Sequence, residues 1–329
     1  MSSNRRKAIG WMASGAAAAA WPWLANAQAQ PAAASRGLTL VVPYPPGASS
    51  DQLARLVAQR WSAITGQSMV IENKGGANGN VGAATVAKAP PDGTRILLAT
   101  QPIVAINPFL YKDSGFDANK ELTPLTAAVN GVVVIAVHPS LPVNSIAELI
   151  DYSKKNPGAL QYGTAGAGSP QHIGGLLFAQ RAGITLTHVP YRGGGPMVAD
   201  LLAGHIKMGI VTLAAVKAYT ADKRLKVLAI GEKARFAGAP EIPTLAETLP
   251  GFELTTWLGF FGPGGLPRER VNALSQALIQ ALNADEVKAK LLEQALPVRA
   301  EGPDALARLV QTDQEMYGRI IREYKITAE

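Results

Sequence analysis

No cysteine occurs among the 329 residues. Its absence excludes a disulfide framework, a thiol nucleophile, a cysteine-ligated zinc, an iron–sulfur cluster and an acylated-cysteine lipoprotein anchor. Charged side chains are scarce at 17% while apolar ones reach 47%, a balance that argues against disorder and leaves room for about two domains. No two of the four histidines stand at metal-ligand spacing, so no metal site is expected. Neither a Walker A sequence nor G-x-G-x-x-G follows a strand pattern, which argues against a phosphate ligand. No cofactor is expected. Beyond the first residues, no stretch has the length of an uncharged membrane span.

The N-terminus differs from the rest. Arg5-Arg6-Lys7 is a short basic head, residues 8–24 are apolar and alanine-rich, and Ala25-Asn26-Ala27 has the small-x-small form of a signal-peptidase site. Residues 1–27 read as a cleaved export signal rather than an anchor, because Pro22 breaks a stretch of marginal length and a polar linker follows. Residues 4–9 look faintly like a twin-arginine signal, although a basic head of this kind is common in ordinary export signals. Cleavage removes three positive charges from a formal net charge of +7, leaving +4 on 302 residues. The positives that remain are scattered among acids, as Lys223, Arg224 and Lys226 are beside Asp222. They read as solvated faces, so a nucleic-acid partner is not expected, and with the export signal removed the mature protein is expected to be soluble outside the cytoplasmic membrane.

Apolar runs rich in Val, Ile and Leu at residues 38–42, 69–71, 96–99, 132–137, 186–189, 206–211 and 227–230 alternate with helical patterns, which predicts an α/β fold. Helices are expected over residues 51–65 and over 145–153, the latter opened by Ser145 and Glu148 as a capping box. From Arg268 on, two long amphipathic helices are expected, split by Pro297 and Gly302-Pro303. Ligands of open α/β sheets bind at the carboxyl ends of strands. Three junctions there pair glycines with a proline or serine cap: residues 43–51, 161–170 and 188–196. A glycine-rich loop that opens a helix brings backbone N–H groups to an anion, and the helix dipole favours negative charge. Each loop alone is explained by a tight turn; three together favour a small anionic ligand.

The motifs Val41-Val42-Pro43-Tyr44-Pro45-Pro46-Gly47 to Asp51, Ile71-Glu72-Asn73-Lys74-Gly75-Gly76-Ala77-Asn78-Gly79, Ala89-Pro90-Pro91-Asp92-Gly93-Thr94, Tyr162-Gly163-Thr164-Ala165-Gly166-Ala167-Gly168-Ser169-Pro170-Gln171-His172 and His188-Val189-Pro190-Tyr191-Arg192-Gly193 to Asp200 occur in that order. In this the chain resembles the Bug family, the extracytoplasmic solute-binding proteins of tripartite tricarboxylate transporters. The resemblance implies a type II periplasmic-binding-protein fold of two α/β lobes with a ligand cleft between them, and no enzymatic activity. It implies residues 36–131 as the first part of lobe 1, 132–256 as lobe 2 and 257–329 as the return to lobe 1 with the C-terminal helices. Crossings are placed near residues 130–137 and 255–262. The implied partners are a small carboxylate and the membrane components of a tripartite transporter, the protein itself being a monomer.

Carried over residue by residue, the resemblance assigns ligand binding to Tyr44, Gly47, Ser49, Ser50 and Asp51, to Thr164, Ala165, Gly168, Ser169 and His172, and to Tyr191, Arg192 and Gly193; it implies a carboxylate held chiefly by backbone amides, small hydroxyls and bridging waters rather than by an arginine clamp, and leaves open whether Arg192 touches it directly. Thr100, Gln101 and Thr212, at other strand ends, are further candidates. One departure is Ala48, where the family more often has a second glycine, and its methyl narrows the approach of backbone to ligand. For His172, holding its own loop is preferred to touching ligand. Asp51 faces either an ammonium group on the ligand or its own helix start, and both roles stay open. Trp257 packs either over the cleft or in the core. The rival class is a secreted serine hydrolase built on Ser169 and His172, but there is no G-x-S-x-G elbow. A ligand-presenting sensor for a signalling receptor shares the binding chemistry and differs only in partner.

Overall fold

The computed structural model describes residues 37–327, so the export-signal reading falls outside the described residues. The chain opens with β1 (Leu38–Val42), α1 (Ser49–Thr65), β2 (Met69–Asn73), a 3₁₀ turn (Ala77–Gly79), α2 (Asn80–Ala87) and β3 (Arg95–Thr100). Three short helices follow, α3 (Gln101–Ala105), α4 (Asn107–Leu110) and α5 (Ala118–Glu121), before β4 (Leu122–Gly131). Helix α1 forms because Leu53, Ala54, Val57, Ala58 and Trp61 fall on one buried face. It stops at Gly66, which takes the left-handed conformation and returns its N–H to the Ser62 carbonyl.

A second set of elements comprises β5 (Val133–Val137), α6 (Ile146–Lys155), β6 (Gln161–Thr164), α7 (Pro170–Ala182), β7 (Thr187–Pro190), α8 (Gly194–Ala203), β8 (Met208–Thr212), α9 (Leu213–Ala221), β9 (Lys226–Ile230) and α10 (Leu245–Thr248). The chain then returns through β10 (Thr256–Pro263), α11 (Arg268–Leu282), α12 (Asp285–Glu293), β11 (Val298–Glu301) and α13 (Pro303–Glu323).

Two sheets result, in the orders β11-β4-β10-β3-β1-β2 and β7-β6-β8-β5-β9. Each is a mixed sheet with helices on both faces. In the first lobe, α1, α11 and α12 cover one face and α2, α3 and α13 the other. Only Val132, fully buried, separates β4 in one sheet from β5 in the other. The return strand β10 pairs antiparallel with β4, Thr256 opposite Gly131 and Trp257 opposite Asn130, so both passages between lobes run side by side. The Gly231 N–H reaches the Val133 carbonyl and the Leu254 N–H the Gly231 carbonyl, which ties the outgoing and incoming segments together. A side chain at Gly231 would collide with the Leu254 backbone, so glycine is required there.

The C-terminal expectation needs correction. Three helices occur from Arg268 on, with β11 between α12 and α13. The first long helix breaks at Ala284, whose extended backbone restarts the chain as α12 with Asp285 and Glu286 in its first turn. Strand β11 has four half-buried residues, too few for alternation to register, and exists by pairing with β4. At Ser145 the side chain accepts from the Glu148 N–H as expected, but Glu148 answers to the Asn144 N–H, so the box closes one residue early.

Between the lobes, Ile173 of α7 is buried among Ala105 and Ile106 of the α3 region and Tyr317, Ile320 and Ile321 of α13. Among the described residues no helix is long and apolar enough to cross a membrane. Phe260, fully buried at the centre of the first lobe, tests the core. Phe260→Ala should cost about 3–5 kcal/mol, read as a lowered urea midpoint at unchanged slope, and a loss under about 1 kcal/mol would refute this packing.

Candidate functional site

The first loop, residues 43–48, leaves β1 and enters α1, whose N-cap Ala48 offers no side-chain acceptor. Asp51, 3% exposed, turns back instead. Its Oδ2 accepts from the Gly47 N–H at 3.0 Å and the Arg55 Nε at 2.9 Å, and its Oδ1 from the Asn73 Nδ2 at 3.0 Å. The Arg55 bond, helped by the Gly47 and Asn73 donors, holds this carboxyl below the ordinary aspartate range despite desolvation. Asn73 also donates to the Tyr44 carbonyl at 3.1 Å, and the Tyr44 hydroxyl lies 2.8 Å from the Thr100 hydroxyl. Of the two roles open to Asp51, the geometry shows the one that shapes its own loop. Ser49 is exposed at the helix start and Ser50 buried.

In the second lobe, β6 runs into the 165–169 loop and α7. Ser169 is the N-cap and its hydroxyl accepts from the His172 N–H at 3.1 Å, with Pro170 at the first helical position. The His172 Nδ1 accepts from the Gly168 N–H at 3.0 Å, and its ring stacks on His188 at 3.8 Å between centroids. The His188 Nε2 is 2.7 Å from the fully buried Thr164 hydroxyl. Serine and imidazole thus face the backbone rather than each other, which removes the pair a hydrolase would need.

Strand β7 leads to α8 through Tyr191, Arg192 and Gly193. The Tyr191 N–H donates to the Thr164 carbonyl and the Gly193 N–H to the Ala165 carbonyl, both at 3.1 Å, locking the two loops together. The Tyr191 hydroxyl donates to Asp200 at 2.8 Å; burial, with Asp200 assisting, pushes the phenol up to about 12. Gly193 caps α8 without a side-chain acceptor, and around Gly193, Gly194 and Gly195 a side chain would meet only open space.

A cleft of about 330 Å³ lies between the lobes. Ala165, Ser169, Tyr191 and Arg192 line it, as do Gly166, Ala167 and Pro190 of the same loops. From the first lobe come Asn78, Leu110 and Tyr111, which sequence reasoning missed. Leu110 presses so closely on Gly168 that a Cβ there would overlap it, the close approach that a glycine permits. Asn78, left-handed at φ +52°, is held by Asn107, which also bonds Asn80 at 2.7 Å. An asparagine set among glycines in the second motif, the non-glycine residue that most readily takes positive φ, was the available signal for Asn78; Leu110 and Tyr111 carried none.

Other assigned positions lie outside the cleft wall. Tyr44, Gly47, Ser49, Ser50 and Asp51 belong to the first-lobe loop and the start of α1, and Thr100 ends β3 beside Tyr44; Gly75 and Gly79 of the next glycine-rich segment lie close to Pro43. Thr164, Gly168 and His172 support the second-lobe loop, Gly193 heads α8, and Thr212 heads α9. The Gln101 side chain turns inward, donating to Asp313 at 2.6 Å beside the Trp257 indole N–H at 2.7 Å. Trp257 is therefore a core residue. Among the described residues no group of three or more His, Asp or Glu is placed to hold a metal.

Two α/β lobes facing a cleft, with glycine-rich helix starts in its wall, define a solute-binding protein, which holds its ligand without transforming it. Residues 53–326 match the tripartite tricarboxylate transporter family receptor, and the chain belongs to that family. It is 35% identical over 305 residues to the UPF0065 protein in the tcbD-tcbE intergenic region of Pseudomonas sp. strain P51, across 92% of this chain and 90% of that one. Among solved structures it is similar to R. palustris Rpa4515 with adipate, at 34% identity and a TM-score of 0.78 over 88% of this chain and 98% of that one. It is also similar to MatC from Rhodopseudomonas palustris with bound malate, at 27% identity and a TM-score of 0.73 over 87% and 98%.

The stacked histidines make the second-lobe loop acid-sensitive. Burial pushes both imidazoles down to about 4 from 6.5, with the neighbouring His172 adding to the shift at His188. The unfolded chain takes up these protons near pH 6.5 and the folded chain only near 4, so stability falls as pH drops through that window. Asn at position 172 keeps an acceptor for the Gly168 N–H but cannot titrate. His172→Asn should make the fall of Tm between pH 6.5 and 4 shallower than in the parent. The difference between the two proteins cancels the other shifted groups, His138, which burial lowers, and Glu232 and Asp313, which burial raises. An unchanged slope would rule out this role for His172.

Proposed function

We propose that this protein is exported by cleavage after Ala27, captures a small carboxylate in the interlobe cleft as a periplasmic monomer, and delivers it to the membrane components of a tripartite tricarboxylate-type transporter. The observation that carries this reading is Arg192. It is exposed on the cleft wall, has no ion-pair or hydrogen-bond partner among the described residues, and stands directly before the uncapped start of α8. An unpaired guanidinium beside free helix N–H groups is a donor-rich setting for a carboxylate. The related structures with adipate and malate support the same ligand chemistry.

The assigned residues divide by role in this reading. Ala165, Ser169, Tyr191 and Arg192 meet the ligand through backbone, hydroxyl or guanidinium groups and Gly193 turns the start of α8 toward it, whereas Asp51, Thr164, Gly168 and His172 hold the loops in place. Closure of the lobes brings Asn78 and Tyr111 over the bound molecule, and the transporter reads the closed form through its differential affinity for the two states.

A thermal-shift screen of residues 28–329 against mono-, di- and tricarboxylates and their neutral amides tests the proposal, because a ligand of the folded state alone raises Tm by linkage. A carboxylate should stabilise and its amide should not. Arg192→Ala should weaken the stabilising carboxylate about tenfold, or about 1.4 kcal/mol, and leave the unliganded Tm within a degree or two. Selective stabilisation by neutral sugars or by cations would overturn the carboxylate reading.

A further inference from the structure

We infer that the cleft selects carboxylates that carry no ammonium group, and so discriminates hydroxy- and unsubstituted dicarboxylates from the amino acids of the same shape. The inference rests on the carboxylate reading above and narrows it. It follows from what surrounds the cleft: a cation and hydrogen-bond donors are available there, while no carboxylate lines it and the Thr164, Ala165 and Gly166 carbonyls are already engaged.

No aspartate or glutamate lines the cleft among the described residues. Four acids on the elements that carry or adjoin the cleft loops are engaged elsewhere. Asp51 receives Arg55, Gly47 and Asn73. Asp200 receives the Tyr191 hydroxyl and faces His205 at 3.3 Å. Asp313 lies behind Trp257 and Gln101 in the first lobe. Asp113, two residues past Tyr111, accepts the Gly115 N–H and lines a separate hollow together with Lys88.

Backbone carbonyls are the other acceptors for an ammonium group, and three in the second-lobe loop are already engaged. The Thr164 carbonyl takes the Tyr191 N–H, the Ala165 carbonyl takes the Gly193 N–H, and the Gly166 carbonyl takes the Ser169 N–H and the Thr164 hydroxyl. The donors are in the opposite condition. Arg192 is unpaired, and the first N–H groups of α8 have no intrahelical acceptor. An ammonium group entering here would lose water without gaining a counter-charge and would feel Arg192 as a like charge.

Titration calorimetry of the whole mature protein with matched ligands tests this: succinate, malate and aspartate, then adipate and 2-aminoadipate. The amino member of each set should bind at least about tenfold more weakly than its unsubstituted partner, while malate stays within about threefold of succinate. Malate controls for size and polarity, because its hydroxyl adds a polar substituent without charge. Ala167→Asp, which places a carboxylate on the cleft wall, should move the aspartate-to-succinate affinity ratio toward aspartate whatever it does to either alone. Aspartate or 2-aminoadipate binding as tightly as its partner would overturn the inference and leave the carboxylate reading standing. A loss for malate equal to that for aspartate would also overturn it, because size and not charge would then decide. If no carboxylate of any set binds, the carboxylate reading itself falls.

Discussion

The antiparallel pairing of β4 with β10 is the constraint on which the cleft depends. These strands carry the chain across and back, and their register puts Thr256 opposite Gly131 and Trp257 opposite Asn130 at the boundary between lobes. Because each strand is hydrogen-bonded along its length, neither crossing can shift without the other. The two sheets are therefore held at fixed ends, and the loops at the carboxyl ends of β6 and β7 meet the 75–79 turn and the end of α4 from the first lobe. Tightly packed neighbours at Gly231 and Gly168 show how little room this arrangement leaves.

Within that frame the two lobes contribute differently. The second lobe provides polarity through loops whose carbonyls are tied to one another, leaving helix-start amides and Arg192 free. The first lobe provides Asn78, Leu110 and Tyr111, and Asn78 is fixed by the Asn78–Asn107–Asn80 cluster. Polar side chains that look functional in a one-dimensional reading, Asp51 and His172 above all, act on backbone groups within four residues of themselves. That division has an energetic basis. A glycine-rich loop has high conformational entropy, and buried side-chain acceptors reduce its freedom before the ligand arrives.

Much of the fold was legible in the sequence because its signals are local. The valine- and leucine-containing runs at residues 38–42 and 227–230 became β1 and β9, and the apolar stripe from Leu53 to Trp61 became the buried face of α1. The Ser169-Pro170 helix start was visible for the same reason, since a cap and its first turn are neighbours in sequence. Strand β11 was not legible, because four half-buried residues carry no period and depend on β4 for their existence. Gln101 and Trp257 were ambiguous, because their common acceptor Asp313 lies far along the chain.

By itself the sequence determined the α/β alternation, the three glycine-rich strand-to-helix junctions and the family to which the chain belongs, all of which rest on spacing within a few residues. Only the tertiary structure decided which junction residues line the cleft, which carbonyls are consumed, and that Asp51 is turned toward its own loop. The reason is geometric: a hydrogen bond is made by whichever donor arrives within about 3 Å, and donors such as Asn73, Tyr191 and Asn107 reach their partners only after the sheets have set the loops side by side.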